Sequence, residues 1–107
     1  MDEDCGIGKA IQTIRIIRGM TKEEFCKNTK LMIGNSKLTV GFFEHRIEAG
    51  TFTILSVDQL KLIAKTLKVP SSFILILAEE SNDPLVTNLQ GVVMDSLTKA
   101  AIEDRKP

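Results

Sequence analysis

The chain has 107 residues, with 14 Lys and Arg balanced by 14 Asp and Glu, so its formal net charge is zero. That length holds one hydrophobic core rather than two, and a neutral total leaves any binding of a polyanion to local charge. Aromatic residues are 5% of the chain and Trp and Tyr are missing, a balance that suits packed helices better than a sandwich of short strands, so an all-α domain is expected.

Cys5 and Cys26 stand apart, with no His at ligand spacing, which points to free thiols in a reducing compartment and to no metal or other cofactor. The opening Met1-Asp2-Glu3-Asp4 is acidic where a signal peptide is basic. No apolar run approaches the roughly 20 residues that span a bilayer. A cytoplasmic protein with no membrane partner is expected. The charge is segregated along the chain: Cys5 to Arg46 carries eight Lys and Arg against three acids, eight minus three or +5, and the remainder carries −5. A basic half facing a phosphate backbone is compatible with a neutral total.

In chain order, Ile7, Ile11, Ile14 and Ile17 recur at helical spacing, with Lys9, Gln12, Arg15 and Arg18 between them. Gly19 suits the end of that helix. Thr21 and Glu24 have the spacing of a capping box for a second, with Met20 and Phe25 at the staple positions. The second helix is expected to turn Phe25, Cys26, Met32 and one of Leu31 or Ile33 inward and to end at Gly34. Ser36 then caps a third helix, with Val40 and Phe43 as its buried pair and Gly41 as a weak point. "HRIEAGTFTI" reads as a loop. Ser56 and Gln59 repeat the capping box, with Leu55 and Leu60 as staple, ahead of a fourth helix whose inner face is Leu60, Ile63, Ala64 and Leu67. Pro70 interrupts the pattern, and Ser71 or Ser72 starts a fifth helix, "FILILAEE", apolar on every side and so requiring cover on two faces. Asp83 and Pro84 open a last helix with Leu85, Leu89, Val92, Val93, Leu97 and Ala101 at helical spacing, which folds back on its own domain or packs on a second copy.

"IGKAIQTIRIIRGMTKEEFC" and "VDQLKLIAKTLKVPSSF" together resemble the lambda-repressor-like helix-turn-helix family, the Cro and XRE type of small regulators. The resemblance covers Ile7 to about Leu77. It implies a five-helix bundle, usually dimeric, whose third helix enters the major groove of DNA. On that basis residues 1–80 form a helix-turn-helix DNA-binding domain, and residues 81–107 a C-terminal amphipathic helix for dimerisation or packing. Two registers fit the middle. One aligns the family's glutamate with Glu44 in "GNSKLTVGFFE"; its rival uses "RIEAG", Arg46 to Gly50, and aligns it with Glu48. The first is preferred, because the rival puts Glu44 where the family buries an aliphatic side chain, and an unpaired buried carboxylate costs several kcal/mol.

In the preferred register Asn35, Ser36, Lys37 and Thr39 open the third helix and are the candidates for base edges and flanking phosphates. Lys22, at the start of the second helix, is a candidate phosphate donor. Arg15 and Arg18 clamp phosphates or form a solvated helix face; Arg46 reaches the backbone or minor groove; Phe42 packs on sugars and thymine methyls or lies in the core. No Ser, His and acid arrangement and no phosphate-cradling glycine loop after a strand is found, so an enzyme is not expected. The functions that remain are a dimeric repressor on a palindromic operator in double-stranded DNA, or a protein-interaction module on the same scaffold, such as the antitoxin of a toxin–antitoxin pair.

Overall fold

The computed structural model of the protein describes residues 6–51 and 55–104. Cys5, Phe52, Thr53 and Ile54 lie outside them. The described chain is mostly helical, with one two-stranded hairpin: α1 Gly6–Ile17, α2 Lys22–Asn28, β1 Met32–Ile33, β2 Ser36–Lys37, α3, α4 Val57–Leu67, α5 Ser71–Ala78 and α6 Pro84–Asp104. Helix α3 is α-helical over Val40–Phe42 and continues as a π-helix over Phe43–Glu48.

Local chemistry sets most of these ends. Thr21 accepts from the Glu24 amide while Glu24 accepts from the Thr21 amide, and Ser56 and Gln59 make the same reciprocal pair. Asp83 accepts from the Leu85 amide at 2.9 Å, with Pro84 at the first helical position. Helices α1, α3 and α4 end alike: a residue of positive φ sends its amide back three residues while the next amide reaches back five. Gly19 (φ 71°) and Gly50 (φ 82°) hold that place after α1 and α3, but Lys68 (φ 63°) holds it after α4. A left-handed conformation costs a side-chain-bearing residue about 1–2 kcal/mol.

The segment between α2 and α3 corrects the sequence expectation. Helix α2 ends at Asn28 and not at Gly34, because Thr29 leaves helical geometry (ψ 148°). The Thr29 hydroxyl accepts from the Leu31 amide at 3.2 Å and hydrogen-bonds with Thr66 on α4 at 3.0 Å, a local alternative to another helical turn. Leu31 is buried, Met32 exposed and Ile33 half-buried, an alternation of period two. Gly34 (φ 62°) and Asn35 form a two-residue turn, pairing Met32 with Lys37 and Ile33 with Ser36. Ser36 therefore sits in a strand. Thr39 caps α3, accepting from the Phe42 amide at 3.1 Å, and the stretch from His45 to Glu48 is helix rather than loop.

The core joins Ile11 and Ile14 of α1, Phe25 of α2, Leu31 and Leu38 at the two roots of the hairpin, Phe43 and Ile47 of α3, Ile63 and Leu67 of α4, and Ile74 of α5. Helix α5 packs against α1, α4 and α6, with Ile74 buried and Leu75 left exposed. Helix α6 folds back on its own chain and adds Val93 and Leu97 to the core. Leu85, Leu89, Val92 and Ile102 remain exposed on it. None of the described helices is long and apolar enough to cross a membrane.

Gly8 lets α1 meet the end of α3. A Cβ there would stand 2.9 Å from the Glu48 carbonyl oxygen and 3.0 Å from the Gly50 nitrogen, with the Ile47 carbonyl oxygen closer still. These are backbone atoms, which yield poorly. Gly8→Ala is expected to destabilise the protein by at least about 1–3 kcal/mol despite the better helix propensity of Ala, measured by chemical denaturation; an unchanged midpoint would show that the two backbones are not in contact.

Candidate nucleic-acid interface

Helix α3 is seated from three sides. Phe43 is fully buried and stacks on Phe25, ring centroids 4.4 Å apart and planes at 18°. Glu48 is buried and paired with Arg15: Nε donates to Oε2 at 2.6 Å and Nη2 to Oε1 at 3.3 Å, while Nη1 donates to the Met20 carbonyl at 2.9 Å. One guanidinium so ties α3 to α1 and to the turn entering α2. Thr39 caps the other end.

The sequence candidates divide on this frame. Arg15 is not on a solvated face; it is 7% exposed and its charge is matched by Glu48. The objection to the Arg46–Gly50 register also falls. Glu44 is not in an aliphatic site but is partly exposed, its Oε2 3.2 Å from Lys22 Nζ, and the buried carboxylate is Glu48. Lys22 holds the Glu44 carboxyl below the usual range by hydrogen bond and by charge. Asn35, Ser36 and Lys37 are exposed on the hairpin and not on the third helix. Thr39 is at the start of α3. Phe42 is half-buried and packs on the core, with the exposed Arg46 guanidinium 5.6 Å from its ring centroid, so this arginine reaches solvent supported on an aromatic face. Arg18 is half-buried and lines a separate cleft.

No protein-family model, curated protein or solved structure matches the chain.

Between α1, α2 and α3 lies a cleft of about 340 Å³, lined by Lys9, Gln12, Lys22, Glu44, His45 and Glu48 among others. Its charges are mixed, and two of them are the Lys22–Glu44 pair itself. Among the described residues no group of three or more His, Cys, Asp or Glu could hold a metal ion. Cys26 is a buried free thiol, pushed above its usual pKa by burial first and by the nearby Glu23 and Glu48 charges second, so it stays protonated at neutral pH and is a poor nucleophile. Sequence reasoning missed the Arg15–Glu48 pair because the partners are 33 residues apart.

Proposed function

We propose that the chain is a sequence-specific DNA-binding transcriptional regulator, a dimeric repressor on a palindromic operator, with α3 entering the major groove. The reading rests on one observation above the rest: α3 is a short surface helix held by a cap, an aromatic stack and a buried ion pair, with Thr39, His45 and Arg46 exposed along it. A base reader needs that kind of support, since a side chain discriminates bases only when its backbone is held still. The family resemblance then runs through the Arg46–Gly50 register, with Glu48 as its glutamate and the hairpin as an addition ahead of the reading helix. Lys22 is the adjoining phosphate contact, held by Glu44 until a phosphate competes for it.

The exposed Leu85, Leu89, Val92 and Ile102 on α6 supply apolar surface for a second copy. The same surface supports a second reading, a protein-interaction module such as an antitoxin bound to its toxin.

Selection of bound duplexes from a random pool tests the first reading. A palindrome is expected, with half-sites one turn apart, roughly 34 Å. Arg46→Ala is expected to relax preference within each half, at about 1–3 kcal/mol for a base contact, and Glu44→Gln to raise affinity by releasing Lys22. No enrichment by a folded protein would leave the second reading.

A further inference from the structure

A group of cations that plays no part in the proposed reading helix lies together elsewhere. A cleft of about 470 Å³ between the ends of α1, α2 and α4 is lined by Arg18, Lys30, Lys65 and Lys68. A second of about 380 Å³, beside the hairpin, is lined by Lys27, Lys30 and Lys37. They share Asn28 and Lys30, so six cations form one continuous band, and among the described residues the only acid in either lining is Glu24, whose carboxylate accepts from its own helix cap. Among the described residues none of the five lysines has an ion-pair partner, in contrast to Lys22 and Arg15.

We infer that this band is a second track for the phosphate backbone of duplex DNA, in addition to the surface of α3; the inference rests on the DNA-binding reading above. The band runs through two adjoining clefts and draws its cations from the ends of α1, α2 and α4 and from the hairpin, which suits a repeating anion better than a single one. Lysines are flexible point charges that follow phosphates without demanding a fixed plane. Among the described residues no Trp, Tyr or Phe lines either cleft to anchor a protein partner. The backbone carries the second argument. Lys68 occupies the left-handed position that glycine fills at the two like helix ends of this chain, so a charge is kept at the rim of the band against conformational preference, and strain retained in that way points to function. The hairpin is also fixed in place: the Gln59 side-chain amide donates to the Met32 carbonyl at 3.4 Å, and Leu31 and Leu38 are buried at its roots. Lys37 is thereby carried on an arm anchored at its roots that runs directly into the Thr39 cap of α3.

The test is the salt dependence of affinity for the duplex obtained by selection, extended by flanking sequence, for wild type, Lys30→Ala/Lys65→Ala and Lys68→Gly. Removing one lysine–phosphate interaction makes the slope of log K against log salt shallower by about 0.9, so the slope is expected to fall by about 2 in the double variant and about 1 in the single, with base preference unchanged. Lys68→Gly is expected to melt higher than wild type while binding more weakly, which no folding defect produces. Unchanged slopes with base preference intact overturn the band and leave the DNA-binding reading standing. A wild type that retains no duplex overturns both. Loss of binding to a polyglutamate peptide in these variants, with duplex slopes unchanged, overturns the band as a DNA track and assigns it to an acidic protein.

Discussion

Glu48→Ala is expected to lower the stability of the protein by about 3–5 kcal/mol, because it leaves the Arg15 charge buried without a partner. The two side chains are 9% and 2% exposed. An Arg removed from water to that degree depends on its carboxylate, and one remaining hydrogen bond to the Met20 carbonyl does not replace a charge. On a chain of this size the melting temperature should fall by roughly 12 °C or more. Arg15→Ala should cost a similar amount by stranding Glu48. The joint replacement Arg15→Met/Glu48→Leu should recover much of the loss, since a buried ion pair often does no better than apolar side chains of like volume. Thermal and urea unfolding of the wild type, Arg15→Met, Glu48→Leu and the joint variant closes a double-mutant cycle. A loss below about 1 kcal/mol for Glu48→Ala would mean that water reaches the pair as it does a surface salt bridge.

The same pair separates what is legible along a sequence from what is not. Both capping boxes are legible because Thr21 and Glu24, and Ser56 and Gln59, bond within one turn. The inner face of α4 and the need to cover α5 follow from periodicity over a single helix. The hairpin has a signal too, in the Gly34-Asn35 turn dipeptide after the apolar run Leu31-Met32-Ile33, but a helical pattern carried through it displaces the start of α3 from Thr39 to Ser36. Pairing across distance is not legible. A buried carboxylate is costly when unpaired, yet the carboxylate that is buried is Glu48 and not Glu44, and it has Arg15. That arginine lies one turn after Ile11, on the flank of the buried face; its charge and not its position assigns it to solvent, and inside it is matched by Glu48. Charge follows the same rule. The basic half counted along the sequence loses Arg15 to Glu48 and Lys22 to Glu44, while the band at the surface recruits Lys65 and Lys68 from the acidic half. A local field belongs to a face, and a face is assembled from distant segments.

Phe43→Ala is the other substitution with a large expected effect, a loss of about 3–5 kcal/mol from a fully buried ring. The stack on Phe25 contributes part of it, about 0.5–1.5 kcal/mol beyond the area buried. The rest is the void left where α2, α3 and α1 meet, which backbones held together by the Arg15–Glu48 pair cannot collapse to fill. The adjacent Phe42 is the internal control. It differs from Phe43 by one position and is only half-buried, so Phe42→Ala should cost clearly less stability and act mainly on Arg46, whose guanidinium loses the ring beneath it. Equal losses for the two variants in urea unfolding would show that the stack does not seat α3. With a selected duplex in hand, the pair separates two kinds of damage. Phe43→Ala at a temperature where it remains folded should blur the base preference as a whole, because the entire helix shifts, whereas Phe42→Ala should alter only the positions that Arg46 reaches.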